Sequence, residues 1–130
     1  MIPSLRIKRY RLLPLPVVQK EAKKMLTPAQ LREGIKLVQK LRFYPEVPDL
    51  SIEPCGDGFE LRVEGKAINQ QSWLRSIFWV HDASRSIYVV DLFWKRTNQV
   101  SAADKHRANH RIRKLKALIA RGGHPWKSGN

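Results

Sequence analysis

The chain has 130 residues, of which 42% are hydrophobic, and this size and composition fit one globular domain and argue against intrinsic disorder. It contains no apolar run long enough to span a membrane, and Met1–Lys8 lacks the apolar segment of a signal peptide. The single cysteine, Cys55, excludes an internal disulfide and fits a reducing, cytoplasmic location.

The net charge of +14 is concentrated at the two ends of the chain. Residues 1–42 carry 11 Lys and Arg against 2 Asp and Glu, and residues 95–130 carry 10 against 1, whereas residues 43–94 have a net charge of −4. Such a field attracts polyanions and accelerates their encounter. We therefore expect a nucleic acid as the partner, with an acidic protein as the alternative. An anionic membrane is less expected, because no basic helix has a wide and bulky apolar face.

The N-terminal third predicts a strand followed by two helices. Ser4–Tyr10 alternates apolar and basic residues, a strand pattern that Pro14 and Pro16 end. A first helix begins near Pro16 and runs to about Leu26. Thr27-Pro28-Ala29-Gln30 then combines an N-cap, a proline at the first helical position and a glutamine that completes a capping box. The apolar residues of this second helix, at helical spacing, are Leu31, Ile35, Val38 and Leu41.

The middle of the chain predicts three strands. Residues 45–58 form a loop region with a short extended piece at 50–52, and Gly56-Asp57-Gly58 is a turn. Residues 59–64 alternate strictly between apolar and charged side chains, as a half-buried strand does. Residues 73–80 and 86–94 are apolar on both faces and rich in β-branched and aromatic residues, which predicts two central strands joined by a hairpin over 81–85.

Ser101 caps a final helix whose apolar stripe ends before Gly122-Gly123. We expect one domain over residues 1–123 and a flexible tail over 124–130. The predicted fold class is α+β, with a small antiparallel sheet in the order β-α-α-β-β-β-α and both N-terminal helices on one face. The other face would be open except where the last helix or the tail crosses it, which suits a functional surface. The residues of the last apolar stripe are Ala108, Ile112, Leu115 and Ile119.

Basic residues recur on the three predicted strands, at Arg62, Arg75 and Lys95-Arg96. Arg75 interrupts an apolar run, and a buried arginine without a partner costs several kcal/mol. It must therefore face a carboxylate such as Glu60 or Asp91, or face a ligand. The basic positions are expected to converge on one face, where the planar guanidinium suits a phosphate. The alternative is structural: Arg62 pairs with a glutamate of its own strand, and Arg75 pairs with Asp91.

Four sequence segments resemble the RelE/HigB toxin superfamily, and more narrowly its phage-derived HigB-like branch. The resemblance covers about residues 59–118 and depends on the order and spacing of the segments. The segments are Phe59-Glu60-Leu61-Arg62, then Trp73-Leu74-Arg75-Ser76-Ile77-Phe78, then Asp91-Leu92-Phe93-Trp94-Lys95-Arg96-Thr97, and a last helix with Ala108 and Arg111.

This resemblance implies a toxin of a type II toxin–antitoxin system, an endoribonuclease that cuts mRNA on the ribosome and is silenced by a helix-turn-helix antitoxin. The catalytic residues that it implies are Arg62, Arg75, Lys95 and Arg96, which would orient the scissile phosphate and stabilise its charge while the 2′-hydroxyl attacks. The alternatives are a non-enzymatic RNA- or ribosome-binding protein with a RelE-like fold, and a ParE-like toxin that inhibits DNA gyrase.

The chain departs from the family pattern early in the last helix, where Ser101-Ala102-Ala103 stands in place of a tyrosine that transfers protons in some members. His106 and His110 are the candidate replacements, because imidazole titrates near neutral pH; the alternative is that both are exposed polar residues. Arg107, Arg111 and Lys114 are expected to bind the RNA backbone. No grouping of Cys, His and carboxylates has metal-ligand spacing, so we expect neither a metal nor another cofactor.

Overall fold

The computed structural model of the protein describes residues 10–47, 50–63, 73–95 and 101–124. They form one five-stranded sheet in the order β1-β5-β4-β3-β2, with three α-helices. The predicted α+β class is confirmed. The predicted tail lies outside the described residues except for His124. The elements are β1 (Arg11–Pro14), α1 (Pro16–Met25), α2 (Pro28–Gln39), β2 (Leu50–Cys55), β3 (Gly58–Val63), β4 (Trp73–His81), β5 (Ser86–Lys95) and α3 (Ala102–Ala120).

Two features of the sheet differ from the prediction. The short extended piece expected at 50–52 is a full edge strand, β2, which pairs with β3 through a tight turn at Gly56-Asp57. The first strand is β1 at Arg11–Pro14, later in the chain than the predicted Ser4–Tyr10, of which residues 4–9 lie outside the described part. β1 pairs with β5 in parallel, so the sheet is mixed. Pro14 is tolerated because β1 is an edge strand.

The start of α2 follows its sequence signal closely. The Gln30 backbone N–H donates to Thr27 Oγ1 at 3.1 Å, and the Thr27 N–H donates to Gln30 Oε1 at 3.0 Å, which completes the predicted capping box. The buried side of the helix is rotated from the predicted one, because Gly34 lets Leu92 of β5 approach its backbone. Ile35 is consequently 45% exposed, and the buried residues of this segment are Gly34, Leu37, Val38 and Leu41.

The helix α3 crosses the sheet on the face opposite α2 and closes its centre. Ala108, Ile112 and Leu115 are buried in one cluster with Ile77 of β4 and Cys55 of β2. The predicted helix stop is confirmed, since Gly122 has a φ of 78° and the last turn closes in a Schellman motif, with Gly123 N–H donating to Leu118 O and Gly122 N–H to Ile119 O. This face was expected to be open except where the last helix or the tail crosses it, and α3 crosses it at the middle of the sheet, where the apolar stripe of the helix is buried.

The burial of Cys55 gives a direct test of whether α3 covers this face of the sheet. It is 3% exposed beneath α3, and burial raises the pKa of its thiol. We expect a thiol-specific disulfide reagent to modify Cys55 at least about tenfold more slowly in the folded protein than in the unfolded chain, because reaction requires local opening and a thiolate. Equal rates in the two states would show that α3 does not cover β2.

Candidate nucleic-acid interface

The pairing of three strands brings most of the predicted basic positions to one end of the sheet. The Cα atom of Arg62 on β3 pairs with that of Arg75 on β4. Lys95 on β5 pairs with Trp73, two residues before Arg75 on the same strand. Residues two apart on a strand and residues paired across strands are near neighbours. Arg96 lies outside the described residues.

Arg75 itself is fully buried, and its partner is Glu60. The Arg75 Nη1 atom lies 3.0 Å from Glu60 Oε2, and the side chains of the two residues are 0% and 10% exposed. Of the two carboxylates expected from the sequence, the tertiary structure therefore selects Glu60 rather than Asp91. In this conformation the Arg75 guanidinium does not reach solvent, so it does not meet a phosphate without a movement of the elements that cover it.

Asp91 instead binds the arginines of α3. Its Oδ2 atom accepts hydrogen bonds from Arg107 Nε at 2.9 Å and from Nη2 at 2.6 Å, and Arg107 also donates to Asp104 at 2.8 Å. Burial raises the pKa of the Asp91 carboxyl, and the hydrogen bonds from Arg107 oppose that rise. Arg111 donates to the Val90 carbonyl oxygen at 2.9 Å. These contacts fasten α3 to β5.

The same flank of α3 also contacts α1, through a hydrogen bond of 2.7 Å from Arg111 to Glu21. Arg107 and Arg111 were predicted to bind the RNA backbone, and the structure places both in intramolecular ion pairs with acidic side chains. Lys114, the third residue of that predicted group, is exposed on the helix surface. The described contacts thus give the two arginines a role in holding α3, and their contact with RNA stays a prediction.

His106 and His110 lie on the outside of α3. Both are exposed, and at 100° per residue His106 lies about 200° around the helix from the buried Ala108. This orientation of the two histidines follows from the apolar stripe of α3, which must face the sheet. The structure therefore turns the two imidazoles away from the sheet that carries Arg75, and together with Lys114 they form an outward row on the helix.

The partnership of Asp91 with α3 was missed by the sequence prediction. The available signal was an acidic residue inside the apolar run of β5, because a buried carboxylate requires a cationic partner. That signal shows that a partner exists but does not choose among the many arginines of this chain. The sequence likewise does not show that Asp104, which is 9% exposed, accepts a hydrogen bond from Arg107.

In the described part of the chain, no three His, Cys, Asp or Glu side chains come together in a way that could hold a metal ion. None of the helices in the described ranges is both long and apolar enough to cross a membrane.

Comparison with known proteins gives likenesses in structure. The toxin RelE of E. coli, solved as an arginine-to-alanine double mutant in the free state, superposes with a TM-score of 0.55 at 15% identity, covering 80% of this chain and 98% of that chain. The archaeal RelE–RelB complex from Pyrococcus horikoshii gives a TM-score of 0.45 at 23% identity, covering 70% and 99%. No protein-family model and no curated protein matches the sequence. The chain therefore has the α+β fold of the E. coli toxin RelE.

Proposed function

We propose that the protein is a toxin that cleaves mRNA on the ribosome and that a helix-turn-helix antitoxin binds and silences it. The observation that carries the proposal is the strand register, which sets Arg62 opposite Arg75 and brings Lys95 close by in a RelE-like fold. Like charges directly opposite each other destabilise a sheet. The ion pair with Glu60 compensates the charge of Arg75, an anion bound at Arg62 and Lys95 would compensate the other two, and the net charge of +14 favours a polyanion.

Within this proposal, Arg62, Lys95 and Arg96 bind the scissile phosphate. Guanidinium and ammonium groups stabilise the negative charge that develops on the phosphate as the 2′-hydroxyl attacks. Arg75 supports this end of the sheet through its ion pair with Glu60, and it joins the phosphate ligands only when the elements that bury it move. His106 and His110 likewise act as acid and base only after α3 turns, because both now project outward. The narrower HigB-like assignment stays a prediction.

A second candidate function is a non-enzymatic RNA- or ribosome-binding protein. Two observations favour it: Arg75 is 0% exposed, and both candidate histidines lie on the outer face of α3. Basic positions that are accessible would still bind RNA by charge alone. The two candidates differ in whether the RNA backbone is broken.

Primer extension on an mRNA incubated with ribosomes and the protein distinguishes them. We expect reverse-transcription stops within the reading frame, and we expect Arg62→Ala to reduce them about a hundredfold or more, because one ligand to the developing charge is lost. Arg32→Ala is the matched control, since it removes the same charge from the exposed surface of α2.

Three outcomes contradict the proposal: the first contradicts the ribonuclease itself, and the other two contradict the role given to Arg62. The first is the absence of stops although the protein sediments with ribosomes, which supports the binding protein instead. The second is an equal loss of cleavage in the Arg62 and Arg32 variants, which shows that only net charge matters. The third is a large fall in the melting temperature of Arg62→Ala, which assigns Arg62 to the structure of the sheet.

A further inference from the structure

The far end of the sheet carries aromatic and polar residues in two rows that run across β1, β5 and β4. The strand register aligns Arg11, Ser86 and His81 in the outer row and Leu13, Tyr88 and Trp79 in the inner row. Both rows lie on the face that α3 covers, because Lys116 of α3 lies over the Trp79 ring at 5.7 Å from its centroid. This end lies beyond the buried centre of the sheet.

The rings at this end form a partly exposed platform. The Trp79 and His81 rings lie 5.4 Å apart with an interplanar angle of 40°, and Trp79 stacks on Tyr88 at 5.9 Å. Tyr88 is 2% exposed and supports the platform from within, whereas Trp79 and His81 are only partly buried. Aromatic surfaces of this kind stack nucleobases with little regard to sequence, since every base has a π-face.

A chain of hydrogen bonds fixes the polar groups beside the platform. His81 Nδ1 and Ser84 Oγ are 2.6 Å apart, Ser84 Oγ donates to Ser86 Oγ at 3.0 Å, and Arg11 Nη2 donates to Ser86 Oγ at 3.0 Å. Ser86 is fully buried. The imidazole is therefore held beside the Ser84 hydroxyl, and the guanidinium beside the buried Ser86 hydroxyl to which Ser84 donates.

Two cations lie beside the platform. Arg11 and Lys116 are both exposed, and neither has a carboxylate partner among the residues that the structure describes. This contrasts with Arg75, Arg107 and Arg111, which all form ion pairs. Exposed cations beside stacked rings are the combination that recognises a single-stranded nucleic acid, where bases stack and phosphates bind by charge.

The geometry points to a second RNA-contact site, formed by Arg11, Trp79, His81 and Lys116, at which a base stacks on the two rings and Arg11 and Lys116 bind the neighbouring phosphates. That the ligand is RNA rests on the proposed function. We call these four residues the distal platform. Trp79 and His81 follow Arg75 on β4 by four and six residues, so the platform lies about 13–20 Å along the strand from that position. It therefore holds a segment of single strand away from the proposed cleavage position.

The test is the affinity of the folded protein for a fluorescein-labelled single-stranded RNA in which 2′-O-methyl groups prevent cleavage, measured by fluorescence anisotropy. We expect Trp79→Leu/His81→Ala to bind about tenfold more weakly. We expect Arg11→Gln/Lys116→Gln to weaken binding and to lower the log–log salt slope by about 1.4, as the loss of two phosphate contacts requires. The matched control is Lys20→Gln/Lys24→Gln, which removes two exposed charges from α1.

A stacking readout separates the platform from net charge. An RNA with 2-aminopurine at one position loses fluorescence when that base stacks on an aromatic ring, and we expect His81→Ala alone to reverse the quenching. His81 is partly exposed at the end of β4, so we expect His81→Ala to fold. It therefore tests the platform even if Trp79→Leu unfolds the protein.

The outcomes distinguish the two levels of inference. If the parent protein binds RNA and the Arg11/Lys116 and Lys20/Lys24 variants lose the same affinity, the distal platform is wrong. It is also wrong if the parent protein binds RNA without quenching 2-aminopurine. Neither result contradicts the ribonuclease. Absence of RNA binding by the parent protein overturns the distal platform, whereas the ribonuclease on the ribosome is decided by primer extension. If the platform variants leave RNA binding unchanged and lose binding to an acidic protein, the surface is a protein interface and the inference is wrong.

Discussion

Replacing Arg75 by alanine is expected to lower the free energy of unfolding by about 3–5 kcal/mol, because it leaves the Glu60 carboxylate buried without its cation. For a chain of this size the loss corresponds to a fall in melting temperature of about 10–20 °C. Thermal melting followed by circular dichroism measures it. The experiment requires no knowledge of the substrate, which makes it the most direct test of whether Arg75 is a structural residue or an accessible ligand.

A double-mutant cycle provides the control. Glu60→Ala is expected to cost a similar amount, since it removes the carboxylate that lies 3.0 Å from the fully buried guanidinium. The combined Arg75→Met/Glu60→Leu variant is expected to recover most of the stability, because apolar residues of similar volume often replace a buried ion pair at little cost. A melting temperature of Arg75→Ala within a few degrees of the parent protein would show that the guanidinium is solvated, and Arg75 would then return to the group of accessible phosphate ligands.

Replacing Asp91 by alanine is expected to cost about 3–5 kcal/mol and to loosen α3. Asp91 is 3% exposed and its carboxylate accepts two hydrogen bonds from Arg107, so its removal leaves a partly buried guanidinium that still donates to Asp104. Loosening of α3 exposes Cys55, which packs in the same core cluster as the apolar stripe of the helix. We therefore expect faster thiol modification of Cys55 at temperatures below the melting transition.

The matched control is Asp57→Ala. Asp57 also contacts an arginine of α3, Arg113, at 3.2 Å, but the Arg113 side chain is 71% exposed. An exposed pair contributes less than about 1 kcal/mol, so this variant should melt close to the parent protein with unchanged modification of Cys55. Equal stability losses in the Asp91 and Asp57 variants would contradict the central role given to Asp91.

The ion pairs of α3 also limit how RNA binding by this helix is tested. Reversing the charge of Arg107 or Arg111 would place a new carboxylate against the buried Asp91 or the half-buried Glu21. A loss of RNA binding would then be inseparable from a loss of structure. Lys114 is exposed, and its charge reversal isolates the contribution of the helix surface to binding.

Much of the local structure follows from the sequence by itself. The start of α2 was determined by Thr27 and Gln30, the end of α3 by Gly122, and the hairpin between β4 and β5 by the polar residues between two apolar runs. Each of these signals acts within a few residues, through a capping hydrogen bond or a backbone conformation that few side chains adopt. The class of fold and the polyanion-attracting charge are likewise properties of the sequence alone.

The tertiary structure alone decided which partner each buried charge receives. The sequence shows that Arg75 and Asp91 both need a counterion, yet several candidates satisfy that need equally well. The choice depends on strand register, which sets Glu60 near Arg75, and on the rotation of α3, which turns Arg107 toward Asp91 and His106 away from the sheet. Register and helix rotation are fixed by the summed burial of apolar side chains far apart in the chain, such as Cys55 and Ile112, and a local pattern carries no information about that sum.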